Sequence, residues 1–333
     1  MIKNFEEKDV EFNEIKTEKS LDDPLVKVSL KLENIMTEEI EPKDDKNIFF
    51  IDSSHVLENP MPIINPRQLC SYESAAFTNP TLQIYIVFIS LHQSMTLELT
   101  KPLNTLLSYK NVNIVYLKLS QFAKRTPAKD FIKSGKLQKS NFPVEHTSDV
   151  FRLLLLWKYG GFYLDSDMIV KKSVGILGEN FACSDGERGI ISNAFLNFNH
   201  TSGRELVEAF INDQLTNFDE KAWGYNGPQS ISRVTTKWCK KLNTNKLKKK
   251  KNCNGFNIHP KKFCFPILPT YYEKIFQRNY TKVLTKRSKD AITVHMWNKL
   301  TKNIKIFKKE KNLYTTLAKN FCPRVYRAID SEF

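Results

Sequence analysis

No window of this 333-residue chain approaches the roughly 18–20 consecutive apolar residues that a membrane-spanning helix needs. The best run, Ile84–Ile89, is strand-sized. The N-terminus lacks the basic-then-apolar pattern of a signal peptide, because Met1–Glu18 is acidic and broken by charge every few residues. The chain as written is therefore expected to be soluble, and a secretory route to need further sequence. The six cysteines contain no C-x-x-C pair, which weakens zinc and thioredoxin-type readings and leaves 15 complete disulfide pairings open. No platform interleaves aromatic and basic residues as a nucleic-acid surface requires, so no nucleic-acid partner is expected.

What is present points to a folded chain. Apolar residues make up 41% and aromatics 12%, ample for a packed core. The net charge of +15 is uneven, −6 over residues 1–46 and +21 over the rest. Residues 1–46 read as an acidic, solvated, disordered tail with few aromatics and no sustained apolar period, so the fold is expected to start at Asn47. Strands are predicted over Asn47–Ile51, Leu82–Ser90 and Asn113–Leu119, with helices over Pro66–Thr78 and Thr96–Ser108. This alternation predicts an α/β fold with a mostly parallel central sheet. Residues 121–145 turn polar and basic, with Pro127 and Pro143, and read as an irregular connection.

Thr147, Ser148 or Asp149 can cap the next helix, whose apolar positions from Val150 to Trp157 run nearly all the way round and imply deep burial. Gly160-Gly161 stops it. A brief strand, Phe162–Leu164, then delivers Asp165-Ser166-Asp167 at its C-terminal end, where open α/β sheets bind ligands. Alternation along an extended segment puts Asp165 and Asp167 on one side. Such a pair suits Mn²⁺ or Mg²⁺ bridging to diphosphate oxygens, although a bare D-x-D is usually a solvated loop. Asp149 and Arg152 lie one helical turn apart, and spacing alone favours a simple ion pair. Charged groups on a buried helix still need partners, and a diphosphate or sugar hydroxyls would serve.

The stretch His146–Asp149 through Arg152, with Leu156–Asp167, resembles the D-x-D region of sugar-nucleotide-dependent glycosyltransferases with a GT-A-type fold. More narrowly it is similar to the lactosylceramide 4-alpha-galactosyltransferase family and its arthropod α1,4-N-acetylgalactosaminyltransferase relatives. Four further blocks match that family in order: Arg67–Cys70 with Glu73–Ala76, Trp223–Gln229, His295–Lys299 and Cys322–Tyr326. The resemblance implies a GT-A-like nucleotide-sugar-binding region over residues 47–205. It also implies a helical and irregular α1,4-glycosyltransferase region over 206–333, packed on the same core.

The implied activity is that of a retaining hexosyltransferase. It would move galactose or N-acetylgalactosamine from a UDP-sugar to a glycolipid or β-galactoside-terminated glycan in α1,4 linkage. Asp165 and Asp167 would hold Mn²⁺ (Mg²⁺ as the alternative) and the UDP moiety, with His295 a third metal ligand or diphosphate contact. Asp149 and Arg152 would contact the donor sugar, and Gln229 would stand on the reacting face. The plain alternatives are a loop-satisfied His295, a turn at Asn226–Gln229 and an Asn193 amide bonding its own backbone. No nucleophile is named.

The resemblance further implies the Golgi lumen or membrane, and it permits a Cys239–Cys253 disulfide while leaving Cys70 and Cys322 unassigned. The Lys-rich run 237–251 reads mainly as a solvated loop, with peripheral contact to anionic lipid as the alternative. Asn199-His200-Thr201 and Asn279-Tyr280-Thr281 fit the N-glycosylation rule. Competing readings are a related transferase with another donor or a protein acceptor, and a non-catalytic nucleotide-sugar-binding protein.

Overall fold

A computed structural model describes residues 28–54, 64–185, 189–239 and 252–333. Near its start, Val28, Leu30 and Leu32 alternate with Ser29 and Lys31. This period-two pattern builds β1 (Ser29–Lys31), and β2 (Glu33–Asn34) follows. Buried β-branched and aromatic runs then form β3 (Asn47–Asp52) and β4 (Gln83–Ser90), with β5 (Thr96–Glu98) and β6 (Val112–Lys118) after them. Further along come β7 (Gly161–Leu164), β8 (Met168–Val170), β9 (Phe181–Ser184) and β10 (Ile191–Phe198). The last strands are β11 (Asn252–Cys253), β12 (Phe256–His259) and β13 (Thr293–His295).

Among the described residues, nine strands make one sheet in the order β11-β12-β9-β10-β7-β3-β4-β6-β2. Its centre is parallel from β7 through β3 and β4 to β6 and β2, while β10 runs antiparallel to both β7 and β9. The expected mostly parallel α/β architecture is therefore present. The sheet takes strands from both sides of residue 205.

Successive residues of β3 and β4 face opposite sides, so Phe50, Ile86 and Phe88 enter one core while Phe49, Tyr85 and Val87 enter the other. On the first side lies α1 (Pro66–Thr78), which begins with a capping box between Asn65 and Gln68. The second side carries α2 (Pro143–Tyr159), α3 (Arg204–Thr216) and α4 (Pro228–Trp238). The C-terminal helices α5 (Thr281–Arg287), α6 (Asn298–Thr301), α7 (Leu313–Phe321) and α8 (Pro323–Ala328) return towards α1. Among the described residues no helix is long and apolar enough to cross a membrane.

Four sequence expectations are corrected. Residues 28–46 are not a solvated tail: β1 pairs with β5, β2 pairs with β6, and Leu32 and Ile35 are buried. Residues 96–98 are a strand rather than the start of a helix, which begins only at Lys101 because Thr100 caps it and Pro102 fixes its first turn. The connection over 121–145 contains short helices at Lys129–Lys133 and Lys136–Lys139. Finally, α2 starts at Pro143, so Thr147, Ser148 and Asp149 lie inside the helix rather than at its cap.

Three disulfides join Cys70–Cys322, Cys183–Cys264 and Cys239–Cys253. The first ties α1 to the start of α8. Beside it the buried Glu73 accepts the backbone amides of Arg324 and Val325 at 2.8 and 2.7 Å and the Tyr109 hydroxyl at 2.8 Å. Two of the five sequence blocks, around Cys70 and Cys322, therefore form a structural clamp. Of the Lys-rich run, residues 240–251 lie outside the described residues, and Lys237 is exposed on the last turn of α4.

Candidate active site

At the end of β7 the chain turns. The Met168 amide donates to the Asp165 carbonyl at 3.1 Å, placing Ser166 and Asp167 at the centre of a tight turn. This corrects the extended reading of D-x-D: the two carboxylates converge because the turn folds them back. Antiparallel pairing of β13 with β8 sets His295 opposite Met168. One ligand atom from each of Asp165, Asp167 and His295 then lies within 4.8 Å of the others.

Asp167 is held on both oxygens. Oδ1 is 2.9 Å from His295 Nε2, and Oδ2 accepts the Asn298 backbone amide at 2.6 Å. Trp297, which precedes that amide, adopts φ 57°, a left-handed conformation unusual for a bulky residue. It is anchored there by an indole hydrogen bond to the Ile267 carbonyl at 3.1 Å and a ring contact with His295 at 4.0 Å. Burial works against both charges, yet their mutual attraction and hydrogen bond win, lowering the Asp167 carboxyl and raising the His295 imidazole from their ordinary values. Among the described residues, His295 Nδ1 is buried with no hydrogen-bond partner.

Arg152 joins this turn to α2. Its guanidinium reaches Asp165 Oδ1 at 3.0 Å, Asp149 Oδ1 at 3.1 Å, the Asn193 carbonyl at 2.8 Å and Ser148 Oγ at 2.9 Å. Tyr163 lies beneath it, ring centre 4.4 Å away, and donates its hydroxyl to Asp165 Oδ1 at 2.8 Å. Burial disfavours the Arg152 charge, but Tyr163, Asp165 and Asp149 together raise its pKa. The intrahelical ion pair exists and extends to the D-x-D turn. Asn193 donates to Asp149 at 2.7 Å rather than bonding its own backbone. Burial raises the Asp149 carboxyl against the pull of Arg152 and Asn193.

The block Trp223–Gln229 packs its backbone here. A Cβ on Gly227 would stand 2.5 Å from both Asp149 Oδ2 and Asn193 Nδ2. Asn226 is buried, its amide 3.1 Å from His146 Nε2. Gln229 is exposed on the first turn of α4, and among the described residues no hydrogen bond ties its side chain to Asp149, Arg152, Asp165, Asp167 or His295. The structure thus gathers five of the six expected site residues and leaves Gln229 unlinked to them.

Sequence reasoning missed Tyr163, Ser148, Gln68 and the Asn298 amide as participants. Tyr163 was within reach, being two residues before Asp165 on the same strand face. Gln68 approaches Ser166 Oγ at 3.4 Å from a distant helix, and Asn298 acts through its backbone, so neither leaves a local signal.

Residues 65–183 match the glycosyltransferase sugar-binding region containing the DXD motif, and residues 199–329 match the alpha 1,4-glycosyltransferase conserved region. Lactosylceramide 4-alpha-galactosyltransferase of Mus musculus is 30% identical over 284 residues, spanning 85% of this chain and 76% of that protein. The chain belongs to this α1,4-glycosyltransferase family. The Homo sapiens lactosylceramide 4-alpha-galactosyltransferase is 28% identical over 85% of this chain and 77% of its own. Alpha-1,4-N-acetylglucosaminyltransferase of Homo sapiens is 27% identical over 85% and 80%. The galactosyltransferase LgtC, solved with donor and acceptor sugar analogs, aligns over 84% of this chain and 95% of its own, at 13% identity and a TM-score of 0.42. The transferase is accordingly a hexosyltransferase of the D-x-D class, which uses a nucleotide-sugar and a divalent metal.

Proposed function

We propose that the enzyme transfers galactose or N-acetylgalactosamine from a UDP-sugar, with retention, to a β-galactoside-terminated glycolipid or glycan, forming an α1,4 linkage. The observation that carries this is the gathering of Asp165, Asp167 and His295 within 4.8 Å, beside an Arg152–Asp149 pair, in a chain of this family. Two carboxylates, with His295 Nε2 2.9 Å from one of them, make a donor set that fits Mn²⁺. A bound Mn²⁺ would offset the charge gathering on the departing diphosphate.

The rest falls to the protein's own groups. Arg152, fixed by several contacts, orients Asp165 and keeps positive charge beside the diphosphate position. Asp149 and Asn193 face the donor sugar, and Gln229 contacts substrate. The Golgi lumen is the proposed location. Three disulfides support it, since such bonds persist in oxidising compartments.

A donor screen tests the reading. UDP-galactose, UDP-N-acetylgalactosamine and UDP-N-acetylglucosamine are each offered with a lactose-terminated glycolipid and Mn²⁺. Transfer from either of the first two supports the proposal. Transfer from the third alone favours the activity named in the human N-acetylglucosaminyltransferase relative. Transfer from none removes it.

A further inference from the structure

The two N-x-Thr triplets meet opposite fates in the fold. Asn199 uses both ends of its amide. Nδ2 donates to Asp45 at 3.1 Å, and Oδ1 accepts the Thr201 and Ser202 amides at 3.0 Å each. Asp45 in turn accepts the His200 amide at 2.6 Å. The half-exposed junction is tightly packed on its glycine side, for a Cβ on Gly160 would lie 2.1 Å from Asp45 Oδ1, and one on Gly203 would lie 2.9 Å from the Asn199 carbonyl. A sugar on Asn199 Nδ2 would displace Asp45 and open the seam between the segment before β3 and the turn that follows β10.

Asn279 is placed differently. It occupies the middle of a 3₁₀ turn, Arg278–Tyr280, that runs directly into α5. Asn279 is exposed, as are Gln277 and Arg278 before it, and among the described residues its side chain makes no hydrogen bond. The turn is nevertheless firmly seated. Tyr280 packs on the core, and Thr281 Oγ1 donates to the Lys311 carbonyl at 3.2 Å. One helical turn beyond Asn279 stands Val283, 60% exposed, an apolar group that a carbohydrate stem would cover.

We propose that Asn279 carries an N-linked oligosaccharide and that Asn199 does not. Asn279 Nδ2 forms a bond to C1 of an oligosaccharide carried on a lipid diphosphate. The C1–oxygen bond to the diphosphate breaks, the lipid diphosphate departs with the electron pair, and the proton lost by Nδ2 passes to that departing diphosphate or to water. The inference rests on the reading of this chain as a lumenal enzyme.

The test directs the full chain into the endoplasmic reticulum of a eukaryotic host behind a cleavable leader. Mass is compared before and after treatment with peptide N-glycosidase. Wild type and Thr201→Ala are expected to lose the mass of one glycan, while Asn279→Gln and Thr281→Ala lose none. Thr201 is exposed, and among the described residues its hydrogen bond in the fold is made by its backbone amide, so Thr201→Ala keeps the Asp45 junction. A loss that persists in Asn279→Gln would overturn the proposal. So would a two-glycan loss falling to one in Thr201→Ala, or an unmodified wild type beside a glycosylated control protein. UDP-sugar turnover by the same preparations separates the two readings. An active, unmodified enzyme sinks the glycan and spares the function; a modified protein that turns over no UDP-sugar does the reverse.

Discussion

Gly227 approaches Asp149 and Asn193 so closely that any side chain there would strike both. Gly227→Ala is therefore expected to lower stability by about 1–3 kcal/mol, the usual range for overpacking, and to misplace Asp149. A lower thermal midpoint together with a reduced kcat for UDP-sugar turnover would bear this out; an unchanged kcat would separate Gly227 from the site. Asp167→Asn keeps shape and removes one charge from the metal position. Transfer should fall by about 10²-fold or more, and UDP binding should lose most of its Mn²⁺ dependence in calorimetry. The proximity of Asp149 and Arg152 to a polar site was legible in the sequence because a charge carried on an apolar element must find a partner or a ligand, Asp165 and Asp167 were readable as a pair from their spacing, and His295 was reached only through the family resemblance. Gln229 was chosen from a block whose buried parts turn out to be Asn226 and Gly227, and turn backbone cannot be weighed against side chain from letters alone.

At the scale of elements, the N-terminal end of α2 and the loop before α4 are locked by one buried histidine. His146 Nδ1 lies 2.7 Å from Ser140 Oγ, which donates to the Glu220 carbonyl at 3.1 Å, leaving Nε2 to accept the Asn226 amide at 3.1 Å. Burial lowers the His146 pKa, outweighing the pull of Asp149, Glu145 and Asp219. The folded state thus resists a proton that the unfolded chain accepts near pH 6.5. Stability from this group is full above that value and declines as pH falls towards the lowered folded pKa. Denaturant unfolding at stepped pH should show a steeper acid loss in wild type than in His146→Gln, and parallel curves would contradict the assignment. His259, also lowered by burial, remains in both proteins and cancels in the comparison.

The parallel centre of the sheet was readable because β3, β4 and β6 are short apolar runs separated by turn signals. The strands at its margins were not. β1 and β2 sit in a charged stretch where only Val28, Leu30 and Leu32 alternate, and β5 lies just before a helix that masks it. The D-x-D turn escaped because a two-residue reversal leaves the same letters as an extended strand end.

Across the whole molecule, the Cys70–Cys322 bond closes a loop with a sequence separation of 252 and holds the C-terminal helices on α1. Cys70→Ser with Cys322→Ser should cost about 2–5 kcal/mol, read as a lower denaturant midpoint. The last two of them, α7 and α8, follow β13 and α6, which bring His295 and the Asn298 amide to Asp167, so weakened metal-dependent UDP binding should accompany the loss. A destabilised double variant with unchanged UDP affinity would detach the clamp from the site.

The body of the chain carries +21, and within it the three candidate metal ligands supply two negative charges at one turn. The most direct measurement is product formation from UDP-galactose or UDP-N-acetylgalactosamine and a lactose-terminated acceptor, with Mn²⁺ and with chelator, for wild type and Asp167→Asn in parallel. An α1,4-linked product is expected from wild type with Mn²⁺ alone. Equal product under chelation, or full activity in Asp167→Asn, would contradict the metal-dependent transfer proposed for this site.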